Sequence, residues 1–266
     1  MAEDMTSFTE LLAGIVPGEG GYAAAVTEDW AQGRTLYGGA SAALCYAAAC
    51  RRFDGLPPLR AAQFAFIGPA AGTLDIRPAI LRQGKSATFI GVDLAGEAGL
   101  AARALLCFGA ARESAVTFSR LPPPDVPPPE ACEDFFRGGP RPNFAHQFEV
   151  RGAGGSPPFS MAEEPEYILW LRHKDRQAPA DLTSLIALAD MPPPAAMVRF
   201  PSFGPISTVT WALEILNPPP ADQEAWFLMT SRAEDSAQGY SSQAMNIWAA
   251  DGTPLVAARQ SVALFV

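Results

Sequence analysis

Hydrophobic positions along the chain fall into two series of elements with the same order. In the first, residues 21–32 carry the spacing of a strand. Gly38-Gly39 then open a segment rich in Ala, Leu and Cys, which runs to about Phe53 and is stopped by Pro57-Pro58. Good helix formers without polar interruption predict a buried helix there. Four strand-like runs follow, at 59–67, 73–82, 86–94 and 100–110, punctuated by Gly68-Pro69, Gly84, Gly96 and Gly99.

In the second series, residues 166–173 predict a strand. Asp181 is placed to cap a short helix through Asp190, which Pro192-Pro193-Pro194 end. Strands are expected at 207–216, 225–234, 240–249 and 255–265. Short motifs keep pace between the series. Ile67-Gly68-Pro69 matches Leu216-Asn217-Pro218, Gln83-Gly84-Lys85 matches Gln238-Gly239-Tyr240, and Ala102-Arg103 matches Ala258-Arg259. The offset grows from 149 to 155 to 156, as loop insertions would make it. Three matches in order point to an internal duplication. A helix followed by an antiparallel meander makes each half an α+β unit, a sheet wrapped around one helix.

Between the series lie Pro122, Pro123, Pro124, Pro127, Pro128 and Pro129. Such a run favours an extended, semi-rigid segment and cannot sit inside helix or sheet. The chain is therefore expected to divide into an N-terminal half at 1–120, a Pro-rich linker at 121–142 and a C-terminal half at 143–266.

Composition narrows the function. With 48% hydrophobic and 18% charged residues among 266, there is ample material for a core. No apolar run reaches the roughly 18 residues of a membrane span. The acidic start Met1-Ala2-Glu3-Asp4-Met5 is unlike a secretory signal. A cytoplasmic protein without a membrane partner is expected. The net charge of −9 argues against nucleic acid, whose phosphates need a basic face, but leaves room for a small anionic ligand. Cys45, Cys50, Cys107 and Cys132 form no CxxC pair and read as reduced thiols. Only His146 and His173 are present, which argues against a structural zinc or His-rich di-metal site, and no cofactor is expected.

Five segments carry a resemblance. They are Leu36-Tyr37-Gly38-Gly39-Ala40, Leu81-Arg82-Gln83-Gly84-Lys85-Ser86, Ala187-Leu188-Ala189-Asp190-Met191-Pro192-Pro193, Ser207-Thr208-Val209-Thr210 and the run from Gly252 to Gln260. In this order the sequence resembles the double-hotdog acyl-CoA thioesterases of the thioesterase II type. The resemblance implies a tandem double hotdog, acyl-CoA as substrate and self-association into a homo-oligomer. It also implies an Asp, a Thr and a Gln that hold and activate a water, without a covalent acyl-enzyme. By position Asp190, Thr208 and Gln260 fall on those three residues.

The residue types suit that chemistry. A carboxylate within hydrogen-bond reach of a water can act as general base. Asp190 is expected at a helix C-terminus, where the dipole disfavours negative charge and partial burial would make a better base. A hydroxyl and an amide cannot take the proton but can orient the water. A backbone N–H at Gly38 or Gly39 would polarise the carbonyl. Arg82 and Lys85, flanking Gly84 at a hairpin, suit the phosphates of CoA, although a solvated turn accounts for them equally simply. Trp170, Trp211, Trp226 and Trp248 read as core.

The duplication supplies an internal comparison. At the 149 offset Thr208 corresponds to Leu59, and at the 156 offset Gln260 corresponds to Ala104. One site per chain is expected, with polar replacement at Leu59 or Ala104 tolerated and giving no activity. Two other functions remain open: a non-catalytic acyl-CoA or lipid-binding module, and a hotdog enoyl-CoA hydratase. A hydratase calls for an Asp/His pair, and His173 precedes Asp175 only on a charged stretch that reads as exposed. No Gly-x-Ser-x-Gly elbow of a serine hydrolase occurs.

Overall fold

Capping and small side chains set the helices. The computed structural model describes residues 5–139 and 141–266. The acidic residues 1–4 and the linker's Pro140 lie outside the described residues. Helix α1 spans Phe8–Ala13, α2 spans Gly38–Arg52 and α3 spans Leu182–Ala189. The hydrophobic pattern gives no sign of α1, but Ser7 and Glu10 form a capping box at its start. Arg51, in the last turn of α2, donates to the carbonyls of Leu12 and Ile15 and so ties α1 and the segment after it to α2. Asp181 caps α3 by accepting from the N–H groups of Thr183 and Ser184. The alanines of α2 are almost all buried, which lets this helix lie close against α3.

Among the described residues fifteen strands follow the chain. In the first half they are β1 (Val16–Gly18), β2 (Gly21–Ala25), β3 (Ala31–Gln32), β4 (Thr35–Leu36), β5 (Leu59–Phe66), β6 (Thr73–Gln83), β7 (Ala87–Gly96) and β8 (Gly99–Gly109). Beyond them lie β9 (Glu133–Asp134), β10 (Phe148–Gly155), β11 (Glu166–His173), β12 (Ile206–Ile215), β13 (Phe227–Ala237), β14 (Tyr240–Ala249) and β15 (Pro254–Leu264). Thirteen of them form one antiparallel sheet in the order β1-β2-β6-β7-β8-β5-β12-β15-β14-β13-β11-β10-β9. Among the described residues, no helix is long and apolar enough to cross a membrane.

Read outward from the β5–β12 seam, the halves run β5-β8-β7-β6-β2 and β12-β15-β14-β13-β11. The connectivity is the same, as the repeat implies, and the fold is the tandem α+β double hotdog that the resemblance implies. Equivalent positions make equivalent bonds. The N–H groups of Ile67 and Gly68 both donate to the Ala101 carbonyl, and those of Leu216 and Asn217 both donate to the Leu255 carbonyl. At the seam Trp211 stands directly across from Phe64, with ring centroids 5.6 Å apart. Ala104 stands across from Phe64, and Gln260 across from Trp211.

Two expectations change and two are refined. Residues 21–32 do not form one strand, because a 3-10 turn at Glu28–Trp30 breaks it and buries Trp30. The proline segment 121–128 forms neither helix nor strand, as expected, and is tied to the sheet by two tryptophans. Trp248 Nε1–H donates to the Leu121 carbonyl at 3.0 Å and Trp170 Nε1–H to the Pro127 carbonyl at 2.9 Å. Those two tryptophans therefore serve a small second cluster with Cys132 and Leu228, against which Val126 and Trp226 pack, while Trp211 belongs to the main core. A polyproline-like segment has carbonyls without intrasegment partners, which the indoles satisfy. Finally, Ala104 is not the counterpart of Gln260. Thr208 pairs with Val262 and Leu59 with Phe108, each beside a bulge at the same place in its strand (Thr208/Thr210 and Leu59/Ala61), so Leu59 is the counterpart of Thr208, as the 149 offset expects. Past the bulge, Gln260 stands across from Trp211 and Leu106 across from Ala62, so the counterpart of Gln260 is Leu106.

Candidate active site

The last residue of α3's turn faces the first turn of α2. Asp190 is the C-cap of α3, and the Gly39 N–H of α2 donates to its carboxyl group. Only glycine permits this approach. A Cβ on Gly38 would stand 2.6 Å from Asp190 Oδ2, and one on Gly39 would stand 2.5 Å from both the Ala187 carbonyl oxygen and Tyr37 Oη. Tyr37, the residue before α2, donates its phenol to the Ala187 carbonyl at 2.7 Å, which pins the two helix ends together. Its ring stacks on Phe144 at 4.0 Å. Burial, and then the neighbouring Asp190 charge, hold the Tyr37 phenol protonated.

From the sheet, Gln260 Nε2 donates to Asp190 Oδ1 at 2.5 Å. Gln260 is 5% exposed and is held on β15 across from Trp211. Although Asp190 as a residue keeps some accessible surface, protein atoms enclose its carboxyl group. Desolvation is the largest influence on it and raises its pKa from 3.8 to about 7, against the donated bonds from Gln260 and Gly39, which lower it. The expected helix C-terminus effect is thus incomplete. The carboxylate also lies at the positive end of α2, which favours its charge, so burial rather than a dipole raises its pKa.

Thr208 joins these two by register. It pairs with Val262, two residues along β15 from Gln260, so its side chain lies on the same sheet face as that of Gln260. Among the described residues, no hydrogen bond links Thr208 directly to Asp190 or Gln260. The bulge between Thr208 and Thr210 re-aims the start of β12 at this end of the sheet.

Arg82 and Lys85 are not brought to the site. The ring of Phe66 lies beside Gly38, and the cross-strand row Phe66, Ala102, Leu94, Ile76 marks the site's end of the first half. Arg82 is six residues farther along β6 from Ile76, about 20 Å away, and Lys85 sits at the exposed hairpin tip beyond it.

A groove of about 480 Å³ runs along the seam. Gln63, Ala65, Arg103, Thr210 and Arg259 line it, and the buried Trp211 and Gln260 also border it. His173 is also not part of the site, nor exposed as its charged surroundings imply. It packs between Phe8 and Phe148, its Nε2–H donates to the Ser184 carbonyl at 2.9 Å, and burial lowers its pKa to about 4. Asp175 accepts from the N–H and hydroxyl of Thr9. Among the described residues no cluster of His, Cys, Asp or Glu is arranged to hold a metal ion.

The sequence reading missed Gln243 on β14. Its side chain is 1% exposed and donates to Gln260 Oε1 at 2.7 Å. Strand alternation carries the signal, since Gln243 shares parity with the buried Met245 and Ile247.

Comparison with known proteins agrees with this picture. Residues 26–109 match the acyl-CoA thioesterase N-terminal domain, and residues 122–264 match the acyl-CoA thioesterase C-terminal domain. The chain belongs to the acyl-CoA thioesterase family. A hot dog fold protein of unknown function from Alicyclobacillus acidocaldarius is 25% identical, with a TM-score of 0.85 over 96% of this chain and 97% of that one. A thioesterase candidate from Novosphingobium aromaticivorans is 26% identical, with a TM-score of 0.78 over 95% of this chain and 99% of that one. The acyl-CoA thioesterase II TesB2 of Mycobacterium marinum shares the fold at 16% identity, with a TM-score of 0.75 over 96% of both chains. A comparison with curated proteins gives no match.

Proposed function

We propose that the chain hydrolyses acyl-CoA thioesters to free acid and CoA by direct attack of water. The observation that carries this reading is the Asp190 carboxyl, raised to about 7 by burial and held between the Gly39 N–H and the Gln260 amide. A base with a pKa near neutrality combines a useful ionised fraction with useful basicity. Asp190 takes a proton from the water as the water's oxygen bonds to the thioester carbonyl carbon. Thr208 and Gln260 orient that water. The carbon–sulfur bond then breaks, and the CoA sulfur leaves with the proton.

The Gly39 N–H is engaged by Asp190, so in this mechanism it holds the base. Polarising the carbonyl then falls to the Gly38 N–H and the positive end of α2. The glycines also let the reacting carbonyl approach the backbone.

The test is release of free thiol from a panel of acyl-CoA esters of increasing chain length. Turnover with at least one ester is expected. Binding without thiol release would instead make the chain an acyl-CoA-binding module. Addition of water to crotonyl-CoA would make it a hydratase.

A further inference from the structure

Two buried glutamines stand side by side in the second half, and backbone chemistry fixes which way both amides face. Gln243 Oε1 accepts from the Ala195 N–H at 2.9 Å. A backbone N–H can only donate, so the Gln243 carbonyl must face it and the Gln243 NH2 must face the other way. That NH2 donates to Gln260 Oε1 at 2.7 Å. Gln260 is left with its own NH2 toward Asp190, where it donates to Oδ1. The oxygen and nitrogen of an isolated amide can exchange places by a half-turn. Here the half-turn at Gln260 would set its carbonyl oxygen against a carboxyl oxygen of Asp190 and two NH2 groups against each other.

We propose that Gln243 is a positioning residue for this site: it holds the Gln260 amide in the orientation that offers NH2, not C=O, to Asp190. The inference rests on Asp190 being the site's carboxylate. The duplication provides an observation independent of the hydrogen bonds. Gln243 stands across from Gln260, and in the same register of the first half Ile90 stands across from Leu106, so Ile90 is the counterpart of Gln243. Both Ile90 and Leu106 are buried. The first half therefore forms the same strands with two apolar residues where the second has two amides. Burying amides is costly unless they are fully bonded. The fold does not need the pair, and it occurs only beside Asp190.

Ala195 begins the 3-10 turn Ala195–Arg199, a few residues after Asp190 along the chain. The loop that carries the carboxylate thus also sets the amide relay behind it. The titratable group facing Asp190 from α2 is the Tyr37 phenol, while β15 and β14 present only the neutral amides of Gln260 and Gln243.

The experiment is a ¹³C NMR titration of the Asp190 carboxyl carbon, which needs no substrate, alongside the pH dependence of thiol release. The proteins are the full chain with its native sequence, Gln243→Leu, Gln260→Leu and the double variant. Gln243→Met, of matching length, serves if Gln243→Leu does not fold by circular dichroism. In Gln243→Leu the Gln260 amide is free to turn, so the Asp190 midpoint should rise by about one unit, and the acid limb of kcat/KM should follow it. Adding Gln243→Leu to Gln260→Leu should move the midpoint no further, because Gln243 acts only through Gln260. An unchanged Asp190 midpoint in a folded Gln243 variant overturns the proposal, as does a further shift in the double variant. If the midpoint moves as expected but no ester is hydrolysed, the positioning role stands and the proposed reaction falls.

Discussion

The Gly39 N–H, at the start of the first half's helix, donates to the carboxylate of Asp190 at the end of the second half's helix. The site is thus built across the duplication. One half supplies a carboxylate with its amide support, and the other supplies a helix N-terminus without a side chain in the way. Either half alone lacks the arrangement.

Replacing the two glycines should separate site from fold. In Gly38→Ala the new methyl meets Asp190 Oδ2, the end of a side chain that can swing aside. The protein should fold, and thiol release should fall by about tenfold or more, because a carboxylate displaced by an ångström loses its line to the water. In Gly39→Ala the methyl meets the Ala187 backbone and the Tyr37 ring, which cannot yield cheaply. A lowered Tm is expected there. Thermal melts and thiol release of both variants give the comparison, and full activity in Gly38→Ala would contradict it.

Thr208→Val and Gln260→Leu remove groups that orient rather than react. Each should reduce turnover less than loss of the base does. Their combined effect should be smaller than the product of the two, because both act on one water. Single and double variants assayed with the same ester decide this, and strict multiplicativity would mean that the two residues serve separate steps.

Asp190 should leave a mark on stability that needs no substrate. Its carboxyl is raised from 3.8 to about 7 in the folded protein. Between those values the folded state keeps a proton that the unfolded state has lost. Stability from this group is therefore full at low pH and is lost as pH rises through about 7. His173 acts oppositely, since lowering its pKa from 6.5 to about 4 costs stability as pH falls through that range. Comparing the native sequence with Asp190→Asn isolates the carboxyl. Urea unfolding at pH values from about 4 to about 8 should show the Asn variant gaining on the native protein as pH rises, by at most about 1.4 kcal/mol per pH unit. A constant difference across the range would mean that the carboxyl is not desolvated.

Much of this was legible in the sequence. Helix α2 declared itself by alanine content and flanking prolines, α3 by its Asp181 cap, and the repeat by Ile67-Gly68 and Leu216-Asn217, which make matching backbone bonds. Asp190 and Gln260 do meet, as the resemblance implies. Three things were hidden. The counterpart of Gln260 is Leu106 and not Ala104, because the Ala102-Arg103 and Ala258-Arg259 likeness lies two residues out of the pairing register. The antiparallel seam put Arg82 and Lys85 at the far end of their strands, which depends on a long-range pairing that no local pattern encodes. Gln243 lay in plain alternation, but a polar residue at a core position announces a partner only when the neighbouring strand is known.

The first half should not be convertible into a site, and it should resist the attempt. Ala104 is 1% exposed and packed between strands. The tolerance expected of polar residues there does not survive this burial. Ala104→Gln places an amide without partners in the core and should cost about 1–3 kcal/mol. Leu59→Thr, at the counterpart of Thr208, should likewise give no new turnover. Chemical denaturation and thiol release test both, and added activity in either variant would contradict the one-site arrangement.

The central claim concerns Asp190 as the base, and the most direct measurement is thiol release by purified Asp190→Asn against the native sequence, across pH, with the best acyl-CoA. Asparagine keeps the shape and removes the basicity. The account expects native kcat/KM to rise with pH through about 7, where the carboxyl ionises. It expects the variant to fold, by circular dichroism, and to be slower by about 10²- to 10⁴-fold without that limb. A folded Asp190→Asn that hydrolyses the ester at the native rate would contradict it.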